Sequence, residues 1–302
     1  MIGGEMLASA IRMTIPILLT ALGAIHAERS GIVNIGLEGM MIVGSFWAAF
    51  GAYHYGPLAG LLFGIMAGGA LALVHAAATV TFRVDHIVSG VALNIIAYGT
   101  TRFASLSIFD RATTSPHVQS LPAIDIPVLD RLPLIAPLAS NVSPVVILTF
   151  ALVFLTRWVL SETTFGLRLR AVGENPQAAD TLGVNVFAMR YAGVIISGLF
   201  AGLAGAYLAV EHTGMYVEGM TQGKGFIALA AMIFGNWGPI GAMGASLLFG
   251  LSEALALRQV VEFIPYEFFK MLPYVLTIIV VGGIVQRSRP PAAVGTSYER
   301  GE

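Results

Sequence analysis

The sequence predicts an all-α polytopic membrane protein of eight to nine transmembrane segments, some broken or re-entrant, and three observations carry that prediction. Hydrophobic residues fill 56% of the 302 positions and charged residues only 11%, more apolar surface than one soluble core buries. Apolar runs of about 20 residues, the length that crosses a bilayer, recur along the whole chain. Several of these runs contain glycine clusters and polar side chains where a simple anchor would stay apolar, which is how broken helices read.

The runs cover roughly 6–25, 32–53, 57–80, 87–108, 142–161, 188–210, 238–258 and 267–285, with a shorter piece at 226–235. The short piece cannot cross comfortably as a straight helix, so the pattern is eight spans plus one short or re-entrant element. The first run lacks a basic start, a short apolar core and a small-residue cleavage site. Glu5 and Arg12 sit among its apolar residues, and it reads as a retained span. In the second, Asn34, Glu38 and three glycines occupy the first turns, where an ionisable group is expensive unless it meets water or a partner. Glu38 is therefore either shallow and hydrated, or paired with Arg29, or part of a broken helix at a translocation path. In the third, Gly56, Gly60, Gly64 and Gly68 recur every four residues, the spacing of a tight helix–helix contact, and Gly198 and Gly202 repeat the pattern in the sixth. Asn94, Thr100, Thr101 and Arg102 mark the fourth, and Glu253 interrupts the run 238–258. Interhelical hydrogen bonding explains each of these as well as pathway lining does.

Cation placement orients the chain. With the Arg168/Arg170 loop inside and every segment crossing, Arg29, Arg83, Arg157, Arg168, Arg170, Arg190, Arg287, Arg289 and Arg300 fall inside or at the inner boundary, nine of sixteen cations. The carboxyl terminus then lies inside and the amino terminus outside. The interval 109–141 becomes an extracytoplasmic loop, rich in proline and suited to an extended rim. The stretches beginning Gly56-Pro57 and Gly238-Pro239 echo one another and start on opposite sides, as an inverted repeat requires. The whole of 1–302 reads as one transmembrane domain.

Several functions are excluded. A net charge of −1 offers no basic face for nucleic acid. With no cysteine there is no disulfide, zinc-thiolate site or thiol catalysis, and the six histidines are scattered without metal-ligand spacing, so no metal or other cofactor is expected. No catalytic triad or carboxylate pair is present. Gly219-Met-Thr-Gln-Gly-Lys224 resembles a phosphate loop but is one residue short between its glycines, and it continues into Gly225 instead of Ser or Thr.

The most informative stretch is Gly166-Leu-Arg-Leu-Arg-Ala-Val-Gly-Glu-Asn-Pro-Gln-Ala-Ala-Asp180, inside a polar loop 162–187 between two spans. Asn175-Pro176 begins a short helix and Gly183 ends it. So much capping chemistry on an aqueous face makes it a docking candidate.

Together with Arg29-Ser-Gly-Ile-Val-Asn-Ile-Gly-Leu-Glu-Gly-Met-Met41 and Val88-Ser-Gly-Val-Ala-Leu-Asn94, this stretch resembles the permease subunits of bacterial ABC importers in the ribose and branched-chain amino-acid superfamily. Within it the chain looks closest to nucleoside permeases that work with a basic-membrane-protein lipoprotein. The resemblance covers roughly 10–285 and implies a multi-pass protein of the bacterial inner membrane without an ATP site of its own. It implies three partners: a cytoplasmic ABC ATPase, a second homologous permease and an extracytoplasmic substrate-binding lipoprotein. It places ATPase coupling at Arg168, Arg170, Gly173, Glu174, Asn175 and Pro176, beside a translocation path expected at Asn34, Glu38 and Asn94. Sugar or branched-chain amino-acid import is the alternative within the superfamily. An ion-coupled secondary transporter, with Glu38 as its coupling carboxylate, is the alternative outside it.

Overall fold

A computed structural model describes residues 2–124, 142–257 and 289–299, with single helical positions at 268, 271, 275 and 278. The described chain is helical, with two isolated β-bridges at Thr114–Val217 and Ile124–Val142. Its helices are α1 (Ile2–Arg29), α2 (Leu37–Tyr55), α3 (Pro57–Ala76), α4 (His86–Phe109), α5 (Pro144–Glu162), α6 (Thr164–Glu174), α7 (Pro176–Thr181), α8 (Val186–Ala206), α9 (Lys224–Phe234) and α10 (Pro239–Leu257). α3 and α8 each run on through a π-helical turn, Ala77–Thr81 and Tyr207–His212. The expected span 267–285 lies outside the described residues apart from those single positions.

Six described helices have the length and apolarity to cross a membrane. α1 and α8 form the centre, 83% and 78% buried over their apolar windows, whereas α3, α4 and α5 are buried by a third or less and turn apolar side chains outward. In a soluble protein such exposure would be a liability; against lipid it is the expected surface.

Local chemistry sets the helix starts. Asp85, Ser143, Thr163, Asn175 and Asn185 each accept a hydrogen bond from a backbone N–H in the first turn of the helix that follows, satisfying donors that have no intrahelical partner. Proline occupies the first turn of α3, α5 and α7, where its missing N–H costs nothing.

Long-range contacts define two ends of the bundle. At one, Arg29 of α1 donates to Trp237 O before α10, Ala293 N to Gly173 O of α6, and Arg190 of α8 to Thr296 O. At the other, Ser115 N donates to Tyr216 O, Val118 N to Gly214 O, and Leu121 N to the Glu211 carboxylate. Arg29, Arg83, Arg190 and Arg289 all gather at the α6–α7 end with the 289–299 tail.

The second expected span is shorter as a helix than its apolar run: residues 32–36 leave α1 without helical hydrogen bonding, and α2 begins only at Leu37. The order long helix, irregular stretch, helix, Gly-Pro, helix occurs twice. It appears first as α1, 32–36, α2, Gly56-Pro57 and α3, and again as α8, 213–223, α9, Gly238-Pro239 and α10. α1 ends at the α6–α7 end whereas α8 starts there, so the two units run in opposite directions.

Candidate functional site

The two irregular stretches meet inside the bundle. Glu38, one residue into α2 and 2% exposed, is neither hydrated nor paired with Arg29. Its Oε1 accepts from the Thr221 hydroxyl at 2.6 Å and from Gly223 N at 2.8 Å, and its Oε2 accepts from Gly225 N at 2.7 Å. The carboxylate sits at the start of α9, where open N–H groups and the helix dipole favour negative charge. The loop that resembled a phosphate cradle in sequence therefore holds an anion, and the anion is the chain's own Glu38. Although 213–217 lies at the end opposite α6, residues 221–225 reach inward to α2.

Asn94 of α4, 8% exposed, bridges the same region: its Oδ1 accepts from Gly39 N at 2.8 Å and its Nδ2 donates to Ile35 O at 3.1 Å. Asn34, fully buried, donates to Ser197 Oγ of α8 at 2.7 Å, and its Oδ1 has no partner among the described residues. His75 of α3 bridges Ser89 Oγ and Val33 O at 2.9 and 3.1 Å. The structure thus brings Asn34, Glu38 and Asn94 together; Glu38 and Asn94 engage groups left open where helices break, and Asn34 ties the break to Ser197 within α8. These bonds replace the missing ladder, as a helix break at membrane depth requires. Sequence reasoning missed Thr221, Gly223, Ser197 and His75, which are far from Glu38 and Asn34 in the chain. It also missed that Lys224, the first residue of α9, pairs with Glu253 of α10 at 2.6 Å, although both positions stand out as charges among apolar residues.

The second part of the site is the α6–α7 pair. Thr163 caps α6, Asn175 caps α7 through Ala178 N at 3.0 Å, and Gly183 leaves the segment at φ +81°. Gly173 packs directly on α1: a Cβ there would fall 2.3 Å from Arg29 O. Pro176 is buried, Arg168, Glu174 and Asn175 are exposed, and Arg170 is half-buried. Leu167 and Leu182 are 61% and 84% exposed on this otherwise polar segment, an apolar surface the sequence reading did not single out. Among the described residues no group of three His, Asp or Glu is placed to hold a metal ion.

Six described helices long and apolar enough to cross a membrane, packed around buried helix breaks held by polar clamps, define a polytopic membrane protein. Its backbone is similar to that of a metal-chelate-type ABC transporter in an inward-facing conformation, with a TM-score of 0.51 over 93% of this chain and 85% of that one, at 17% identity. The chain belongs to the family described as branched-chain amino acid transport system / permease component, whose model matches residues 6–281. It is 43% identical to the guanosine ABC transporter permease protein NupQ of Bacillus subtilis, over 95% of this chain and 94% of that protein. It is 41% identical to the nucleoside ABC transporter permease protein NupC of Lactococcus lactis, over 96% and 95%. The chain is therefore a multi-pass ABC permease of the bacterial cytoplasmic membrane.

Proposed function

We propose that this permease imports nucleosides, driven by ATP that a separate cytoplasmic ATPase hydrolyses, alongside a second homologous permease and an extracytoplasmic binding lipoprotein. The observation that carries the reading is the similarity to guanosine and nucleoside permeases along nearly the whole chain. In this account α6–α7 docks in the ATPase, with Arg168, Arg170 and Glu174 forming polar contacts around the exposed Leu167 and Leu182. An apolar centre with a polar rim is the usual composition of a specific interface. Gly173 against Arg29 O, with Asn175 and Pro176 starting α7, holds the pair on the end of α1. The binding lipoprotein docks on the side of the expected extracytoplasmic loop 109–141, of which 125–141 lie outside the described residues.

Asn34, Glu38 and Asn94 border the path as positioning groups that keep its broken backbone in shape. The chemistry of the bundle favours an uncharged polar solute. Both oxygens of Glu38 are engaged by three uncharged donors and Lys224 is paired with Glu253, so neither side chain is open to a desolvated ion. That pairing also weighs against Glu38 as an ion-coupling carboxylate.

Uptake of labelled guanosine, uridine or adenosine, against ribose and leucine, in a strain lacking this chain tests the reading. Loss of nucleoside uptake alone is expected. Loss of ribose or leucine uptake with nucleoside uptake intact would move the protein to another branch of the superfamily.

A further inference from the structure

Residues 289–299, past the expected last span, lie across the α6–α7 end and touch the elements the proposed function treats separately. Ala293 N donates to Gly173 O of α6 at 2.9 Å, and two residues on, Gly295 N donates to Gly31 O in the α1–α2 connection at 3.0 Å. Ala292 N donates to the Glu174 carboxylate at 3.2 Å, Arg289 N to Asn236 Oδ1 at 3.0 Å, and Glu299 pairs with Arg83 at the α3–α4 turn.

Tyr298 anchors the segment. Only 4% exposed, it shares an apolar cluster with Val172 of α6, Ala179 of α7 and Val186 of α8, and its ring meets Phe187 edge-on at 5.6 Å. The guanidinium of Arg190 lies 5.9 Å from the same ring. Arg190 is 1% exposed and donates through Nη1 to Thr296 O at 2.9 Å, while its Nε and Nη2 have no partner among the described residues. A guanidinium buried with two open donors is costly, so something must hold it there. Thr296 and Tyr298 do, and the tail is thereby integral to the packing of this end.

We infer that 289–299 is a coupling strap: Tyr298 and Ala293 are positioning residues that make α6–α7 and the α1–α2 connection move as one body. The connection 32–36 has no helical ladder, but His75 on Val33 O and Asn94 on Ile35 O hold it together as a unit. The tail ties its start at Gly31 to Gly173, so a displacement of α6–α7 reaches Asn34 and Glu38 without being absorbed. The inference rests on the reading of α6–α7 as the ATPase-docking element.

The test uses the complete transporter in liposomes, measuring ATP hydrolysed per nucleoside moved and whether the ATPase co-purifies. Tyr298→Ala, and a stop after Ser288, should keep the ATPase bound and hydrolysing. Both should raise ATP consumed per solute by about fivefold or more, the low end of an allosteric coupling. Tyr298→Phe, which keeps the ring, should restore the wild-type ratio. Should Tyr298→Ala fail to reach the membrane, Glu299→Lys, which sets a cation against Arg83 on the surface, is read in the same way. A wild-type ratio in these variants overturns the strap. Arg168→Glu/Arg170→Glu separates the two ideas. If that pair retains the ATPase, the docking reading fails. If it loses the ATPase while Tyr298→Ala transports at the wild-type ratio, docking stands and the strap alone fails.

Discussion

The seam where α2, α3 and α8 cross and the place where α1 passes into α2 use opposite chemistries within one helix length. In the seam there is little but backbone: a Cβ on Gly205 would fall 2.0 Å from Met41 O, and one on Gly202 would fall 2.3 Å from Gly64 O. Helices in lipid gain nothing from hiding apolar surface, so close backbone packing supplies their attraction. One turn toward the α6–α7 end glycines such as Gly36, Gly90 and Gly225 still pack closely, but Asn34, Glu38 and Asn94 add directed hydrogen bonds to neighbouring elements. Dispersion over a close-packed seam tolerates no displacement, whereas hydrogen bonds at a break can be exchanged for others as elements shift. The comparison teaches that the seam is the frame and the polar break the moving part.

Breaking the seam should have the largest effect. Gly205→Ala forces α2 and α8 apart and is expected to cost roughly 3–5 kcal/mol, read as loss of monodisperse protein in detergent. Glu38→Gln removes the acceptor for one backbone donor and sets an amide against it. A loss of about 3 kcal/mol in thermal stability, with uptake abolished, is expected from unmade charge-assisted bonds. Lys224→Met leaves Glu253 unpaired beside α9 and should cost about 2 kcal/mol, since Glu253 keeps some solvent access, while Lys224→Met with Glu253→Leu should recover most of it. Asn94→Ala strands Gly39 N and Ile35 O, and a loss of about 1–2 kcal/mol, within the range of hydrogen bonds between membrane helices, sharpens how much the break depends on one clamp. Smallest of all, Gly99→Ala meets nothing within 4 Å and should shift stability by no more than about 1 kcal/mol, upward if at all. A severe defect there would mean that outward-facing α4 contacts a partner in the bilayer.

Much of this contrast was legible in the sequence because it is local. The four-residue glycine spacing announces a close crossing, and Asn34 and Glu38 among glycines announce a break. Asn175-Pro176 and Gly183 delimit α7, because caps act within one turn. What the sequence did not show is pairing across the fold. Nothing near Glu38 points to Gly223, 185 positions away, and hydrophobic periodicity is blind to which turn a buried carboxylate caps. The same holds for Lys224 with Glu253, and for Tyr298, an aromatic residue in a short polar tail whose partners lie on three other elements. Residue type signals the need for a partner; the fold supplies its address.

Thiol accessibility in the assembled transporter tests the central claim most directly, because the chain has no cysteine of its own. Val33→Cys and Ile35→Cys, half-buried at the break, should react with a water-soluble maleimide at a rate that changes at least about tenfold between the ATP-bound and nucleotide-free states. Such a change corresponds to a population shift of about 1.4 kcal/mol. Ala48→Cys and Ala201→Cys, fully buried beside the seam, should stay protected in both. Equal protection of all four positions in both states, in a transporter that still moves nucleosides, would contradict the division into frame and moving part.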